Sequence, residues 1–158
     1  MDHNEAEAII NKAAMLKQEE LQLEGLGLPI MPQAIGALLK LGGLPPVKRL
    51  LLANNVITAL LPEIGSLNVL EELDVRNNRL SQIPSEIRKL RKLRSVLLGK
   101  NRFTELPEDL CFVPSIAVLD LADNQIPSLP PTFNRMVSLT SLDLSRNRLS
   151  KFPPELCQ

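Results

Sequence analysis

Asn55, Asn78, Asn101, Asn124 and Asn147 stand 23 residues apart, and the residues around each of them keep step. The nine-residue windows that end on them read VKRLLLANN, LEELDVRNN, LRSVLLGKN, IAVLDLADN and LTSLDLSRN. Two residues after each asparagine comes an apolar side chain (Ile57, Leu80, Phe103, Ile126, Leu149), and three further on comes another (Leu60, Ile83, Leu106, Leu129, Phe152). Proline follows directly at Pro84, Pro107, Pro130 and Pro153, and one step late, after Leu61, at Pro62. A unit this short cannot surround its own apolar residues. It has to stack on copies of itself, so the period dictates an array whose stability is a sum of neighbour-to-neighbour terms.

Within the windows, apolar residues alternate with polar ones. Leu73 and Val75, Leu119 and Leu121, and Leu142 and Leu144 read as inward, with Asp74, Asp120 and Asp143 outward between them. Alternation of faces marks a strand with one buried side. The asparagines follow the strands, where a primary amide can donate and accept at once and so satisfy backbone groups as the chain turns away. Asn55, Asn78, Asn101, Asn124 and Asn147 are therefore expected to form a structural ladder. The prolines fix φ and lack an N–H, which suits an irregular face without a hydrogen-bond ladder. Ile64, Ile87, Leu110, Phe133 and Leu156 anchor that face, with Leu67, Leu90, Val113 and Met136 three residues after the first four. This spacing allows one helical or 3-10 turn per unit.

A divergent copy lies upstream. Leu21 and Leu23 fill its strand positions, Leu26 stands where asparagine is due, and Leu28, Met31 and Pro32 follow. From Leu21 to Leu50 is 29 residues, and the six in excess of the period are placed in LLKLGGLPP, a loop by its Gly42, Gly43, Pro45 and Pro46. Before it, residues 4–17 carry Ala6, Ile9, Ile10, Ala13 and Leu16 at helical spacing among good helix formers. The expected organisation is one structural domain, with a capping helix over 1–17 and six repeats over 18–158. These fall at 18–46 (irregular), 47–69, 70–92, 93–115, 116–138 and 139–158 (truncated).

The pattern L-x-x-L-x-L-x-x-N-x-L resembles the leucine-rich-repeat superfamily over nearly the whole chain. The 23-residue unit ending in L-P-x-x-I/L-x-x-L, best seen in LSQIPSEIRKL and FTELPEDLCFV, is similar to the intracellular Ras-suppressor-like class. The resemblance implies an α/β fold, a right-handed solenoid with a parallel β-sheet on the concave face and short helical or 3-10 turns on the convex face. It also implies a non-enzymatic adaptor or scaffold in signalling that binds a small GTPase, a phosphatase or complex subunits on the concave sheet. The chain departs from the pattern at both ends: its first repeat is irregular, and it stops at Gln158 inside the sixth repeat with no C-terminal cap. The open end supports a second reading, a fixed subunit of a cytoskeletal, axonemal or organellar assembly joined there.

Outward positions locate the candidate partner surface. From the second repeat to the sixth, one row is Leu51, Asp74, Leu97, Asp120 and Asp143; a second is Asn54, Asn77, Lys100, Asp123 and Arg146; a third is Val56, Arg79, Arg102, Gln125 and Arg148. Arg79, Lys100, Arg102, Arg146 and Arg148 make a basic edge beside a row of aspartates. Either these charges pair across adjacent strands, each exposed pair being worth about 0–1 kcal/mol, or the arginines receive an acidic partner surface. Leu51, Leu97 and Val118 are apolar on a face expected to be wet and are the candidate anchors. A second basic cluster, Arg88, Lys89, Arg91, Lys92 and Arg94 in IRKLRKLR, reads either as a solvated edge beside structural Leu90 and Leu93 or as a patch for an acidic protein or anionic lipid.

Composition narrows the remaining classes. Lys+Arg and Asp+Glu are both 18, which removes the general electrostatic argument for a nucleic-acid partner. Four Phe with no Trp or Tyr leave little for base stacking. No apolar run reaches the ~18 residues of a membrane span. The acidic start MDHNEAEAII reads as neither a secretory signal nor a transit peptide. No Asn-x-Ser/Thr occurs, and two cysteines make no disulfide framework, so a cytoplasmic location is expected. The single histidine, His3, leaves little for histidine-based catalysis. Cys111 and Cys157 occupy one repeat position two strand spacings apart, roughly 10 Å, beyond the ~7 Å reach of a disulfide. Gly25 and Gly27 form a lone GLG without a phosphate-loop continuation. The recurrence of Asp74, Asp120 and Asp143 at one repeat position reads as an outward strand slot and not as a carboxylate pair or cation site. No catalytic residue, cofactor or metal is expected.

Overall fold

The alternating windows form strands of three residues each: β1 (Glu20–Gln22), β2 (Arg49–Leu51), β3 (Glu72–Asp74), β4 (Ser95–Leu97), β5 (Val118–Asp120) and β6 (Ser141–Asp143). They pair in parallel and in chain order as one six-stranded sheet. The computed structural model describes residues 3–151 and Pro154. Phe152, Pro153, Leu156 and Cys157, used in the repeat pattern, lie outside the described residues. Pairing places Leu21, Leu50, Leu73, Val96, Leu119 and Leu142 in one row. Each inward apolar residue thus sits on its counterpart in the next unit, and the row from Leu21 to Leu119 is buried while Leu142 is half-buried.

The turn off each strand is closed by an asparagine. Asn78 Nδ2 donates to Val75 O (3.0 Å) at the end of its own strand and to Leu52 O (2.9 Å) at the end of the preceding one. Its Oδ1 accepts the Ile57 N–H at 2.9 Å. Asn101, Asn124 and Asn147 repeat the arrangement on Leu80, Phe103 and Ile126. Asn55 reaches further, because its Oδ1 accepts both the Leu26 and the Leu28 N–H. The first repeat, with Leu26 in the asparagine position, is therefore closed by its neighbour's amide. The residue before each asparagine takes a left-handed conformation: φ is 58° at Asn54, 53° at Asn77, 55° at Lys100, 54° at Asp123 and 52° at Arg146.

On the opposite side of the units, 3-10 turns cover Pro62–Ser66, Ser85–Lys89, Glu108–Phe112 and Pro131–Arg135. Each buries its apolar anchor, Ile64, Ile87, Leu110 or Phe133. The first repeat differs from the expected long loop. Part of its excess, Leu38 to Lys40, is helical and belongs to α2 (Gln33–Lys40). The additional residues extend a single turn into a helix, and its Gly36 admits the Glu63 side chain of the next unit, 3.0 Å from where a Cβ would stand.

Helix α1 (His3–Met15) packs on β1 and α2. Ala6, Ile10 and Ala13 are buried along one face and join the core. Leu16, expected on that face, is 59% exposed. The helix stops at Met15, and Lys17 turns left-handed at φ 52°. There the Gln18 N–H reaches Ala13 O (2.9 Å) and the Lys17 N–H reaches Ala14 O (3.3 Å), a cap that swings Leu16 off the packed face. No helix among the described residues is long and apolar enough to cross a membrane.

Candidate functional site

The outward sheet positions form columns. The first holds Glu20, Arg49, Glu72, Ser95, Val118 and Ser141 in register. The second holds Gln22, Leu51, Asp74, Leu97, Asp120 and Asp143. Alternation then continues one step beyond the inward Leu52, Val75, Leu98, Leu121 and Leu144, to Ala53, Arg76, Gly99, Ala122 and Ser145. Asn54, Asn77, Lys100, Asp123 and Arg146 follow on the left-handed turn. Around these columns lies a hollow of about 380 Å³, lined among others by Arg76, Lys100, Asp120, Asp123, Asp143 and Arg146.

Charge in the hollow is partly neutralised from within. Arg76 binds the carboxylate of Asp74 on its own strand, Nη2 to Oδ2 at 2.6 Å and Nε to Oδ1 at 3.0 Å. Asp74, expected outward and wet, is 3% exposed, because the arginine folds over it. The same hydrogen bonds from Asp74 hold the Arg76 guanidinium above its ordinary range. Arg146 grips Asp123 of the preceding unit with two bonds, Nη2 to Oδ2 at 2.7 Å. That grip lowers the Asp123 carboxyl below its usual value and raises Arg146. Asn77 Nδ2 donates to Asn54 Oδ1 at 2.9 Å, the neutral counterpart of this pair. Asp120 and Asp143 each accept the backbone N–H two residues on, from Ala122 and Ser145, at 2.9 Å. Hydrogen bonds from the Ser145 hydroxyl and then its amide lower the Asp143 carboxyl. In the first column Arg49 bridges Glu20 and Glu72 across three strands.

Lys100 lines the hollow, is exposed, and pairs with no carboxylate among the described residues. Arg79, Arg102 and Arg148 are also exposed and in no ion pair among the described residues, but they do not line the hollow. The basic edge read from the sequence is therefore two sets: Lys100 and Arg146 inside, and Arg79, Arg102 and Arg148 outside. Of the apolar candidates, Leu51 is 8% exposed, whereas Leu97 and Val118 are half-buried and lie in different columns. The sequence reading missed Arg76 and the small residues beside it, Ala53, Gly99 and Ala122. The signal was present: the in–out alternation continues past Val75, and from the second repeat to the sixth Arg76 is the one long side chain in its row.

The second basic cluster also divides. Arg88 pairs with Asp109, and its guanidinium lies over the Phe112 ring at 4.0 Å, with that of Arg135 at 4.8 Å. Lys89 is exposed on the same 3-10 turn. Arg91, Lys92 and Arg94 line a separate hollow at the starts of β3 to β6. Cys111 is a buried free thiol whose pKa is raised by burial. Among the described residues no group of three or more His, Cys, Asp or Glu is placed to hold a metal ion.

Comparisons with known proteins agree on one architecture. A family model described as "Leucine rich repeat" matches residues 91–149, and another of the same description matches residues 69–90. No curated protein matches the chain by sequence. Among solved structures, the chain is similar to a leucine-rich-repeat protein of Leptospira interrogans (29% identity, TM-score 0.74, 92% of this chain and 42% of that one). It is similar to the repeat domain of a Shigella effector (25% identity, TM-score 0.69, 95% of this chain and 59% of that one). It is also similar to a plant peptide hormone receptor solved in complex with RGF2 (37% identity, TM-score 0.58, 68% of this chain and 18% of that one). The chain thus spans less than two thirds of each of these proteins.

Proposed function

The chain belongs to the leucine-rich-repeat superfamily, and from that premise we propose that it is a non-enzymatic module that binds a protein partner on its concave sheet face. Stacked repeats of this kind commonly serve as protein-interaction modules, because the sheet offers a continuous surface that no single unit has. The observation that carries the reading is the hollow along the chain that leaves β1 to β6, where charge remains available at Glu24, Lys100, Asp120 and Asp143 beside the small floor residues Gly99 and Ala122. A partner fits it by presenting a basic side chain to Asp120 and Asp143 and an acidic group to Lys100. Arg79, Arg102 and Arg148 extend the acidic-partner contact outside the hollow, and Leu97 and Val118 supply apolar contact. Arg76 lines the hollow over Asp74, and buried Asp74 and Leu51 support the surface from beneath. The plant receptor with RGF2 bound supports ligand binding by this fold.

The repeat pattern supports the finer assignment: an intracellular adaptor of the Ras-suppressor-like class, with a small GTPase, a phosphatase or complex subunits as partner. The test is capture from cell extract on three immobilised proteins: wild type, the concave variant Lys100→Glu/Asp120→Lys, and the convex control Arg135→Glu. A protein retained by wild type and control but lost by the concave variant supports the reading. An identical retention profile on all three, or loss on the convex control alone, overturns it. Gradient sedimentation of the native protein at low and high salt separates a transient adaptor from a fixed subunit of a larger assembly, which would travel as a large, salt-resistant particle.

A further inference from the structure

We infer that the edge of the sheet where the strands begin is a second binding surface, separate from the concave face, for a short acidic peptide segment of a protein partner. Glu71, Arg94, Ala117 and Thr140 occupy the same position in successive units, linked by Arg94 N–H to Glu71 O (2.9 Å), Ala117 N–H to Arg94 O (2.8 Å) and Thr140 N–H to Ala117 O (2.8 Å). Beside them Lys92, Ser115 and Ser138 form a parallel row, and the hollow between has a volume of about 530 Å³. Arg91, Lys92 and Arg94 are all exposed, and none pairs with a carboxylate among the described residues. Their backbone is anchored, so the three side chains leave the surface from one place. Leu90 and Leu93, on either side, are fully buried, and the Arg94 N–H is held by Glu71 O. Three like charges rooted beside one depression, against the single carboxylate of Glu71, make a local positive field that an anionic ligand neutralises. On the concave face two of the cations, Arg76 and Arg146, already have carboxylates.

The geometry also selects the form of the ligand. Four strand starts at ~4.8 Å spacing span roughly 14 Å, the reach of about four or five extended residues. The cations lie over β4 only. Toward β6 the lining is neutral, and two of its three hydroxyl protons are engaged: Ser115 Oγ donates to Leu93 O at 2.7 Å and Thr140 Oγ1 to Ala117 O at 3.1 Å. Their oxygens are left as acceptors, suited to peptide N–H groups and not to further anions. Glu71 closes the β3 end with a negative charge. The segment that fits has acidic residues over Arg91, Lys92 and Arg94 and then uncharged residues running toward β6. A bilayer fits less well, because the cations line a recess and its lining offers no large apolar side chain for insertion.

The test is fluorescence anisotropy of a labelled peptide, Asp-Glu-Asp-Gly-Ser-Gly, against the full chain at low salt, with an Asn-Gln-Asn version as control. Saturable binding of the acidic peptide alone is expected. It should weaken at least about tenfold in Arg91→Gln/Lys92→Gln/Arg94→Gln and stay within about twofold in Lys17→Gln/Lys40→Gln/Arg135→Gln, with salt screening the wild-type affinity. Circular dichroism checks that the variants fold. Ser138→Glu, at an exposed wall position, gives an independent reading, since an added carboxylate should also weaken binding. Absence of saturable binding, equal weakening by both triple variants, or no effect of Ser138→Glu overturns the inference. So does preference for phosphatidylserine vesicles over the peptide with the same dependence on Arg91, Lys92 and Arg94.

Discussion

Asn55, Asn78, Asn101 and Asn124 lie buried in the turn that leaves each strand, while Asn54, Asn77, Lys100 and Asp123, one residue earlier, are exposed or half-exposed. The two columns share one backbone and obey different constraints. The inner one is the same residue throughout, since its amide must meet two carbonyls and an N–H that water does not reach. The outer one varies among Asn, Lys, Asp and Arg although its left-handed backbone favours asparagine, and a side chain with a long stem raises the local cost there. Repetition where burial governs, and departure from repetition where solvent governs, separate the residues that build the solenoid from those available for recognition.

The contrast can be broken most directly at its inner column. Asn101→Ala orphans Leu80 N–H together with Val75 O and Leu98 O, and should cost about 1–3 kcal/mol in urea unfolding. A loss below a few tenths of a kcal/mol would mean that water replaces the amide and that the inner column is not under burial control. Next in size is Arg76→Ala, which strips the guanidinium from a 3%-exposed Asp74. A cost of about 1–2 kcal/mol is expected, reduced from that of a fully buried pair because Arg76 is itself half-exposed. Adding Asp74→Asn should recover most of it, and failure to recover would show that Arg76 acts through packing alone.

Smaller effects test the outer column. Lys100→Asn should raise stability by a few tenths to about 1 kcal/mol, because asparagine tolerates φ near 55° better than lysine does. The same change should weaken concave-face binding, and a variant that is both more stable and unimpaired would remove Lys100 from the recognition surface. The smallest effect is a pH dependence. Asp123 titrates below its ordinary value of 3.8 because Arg146 bonds its charged form. Its contribution is therefore fully present above that value and fades as pH falls through the lower folded value. The stability difference between wild type and Asp123→Asn, followed by urea midpoints, should close only in that acid range. A difference that does not change with pH would show that the Arg146 contact contributes nothing to the fold.

Much of this is legible in the sequence. The in-register leucines, the asparagines and the proline-led anchors specify a parallel stack because they recur at one period, and only stacking buries them all. The departures are instructive in physical terms. Leu38 to Lys40 are helical where a loop was expected, since Gly42 and Gly43 mark the end of a segment and leave its start undefined. Leu16 fits the helical spacing but lies beyond the left-handed cap at Lys17. The candidate surface was less legible. Its rows were correctly in register, yet Arg76 was passed over, and the run Arg88 to Arg94 looked like one patch although Arg88 turns to Asp109 and Phe112.

Periodicity was enough to define the solenoid, its buried rows and the outward columns, because burial acts on every copy alike and leaves its mark in each. Which charges remain available is a different kind of property. Arg146 reaches Asp123 in the preceding unit, Arg76 bends back over Asp74, and Arg91, Lys92 and Arg94 find no carboxylate among the described residues. Those outcomes depend on the direction and reach of single side chains across a stacked register, and they appear only when the units are folded against one another.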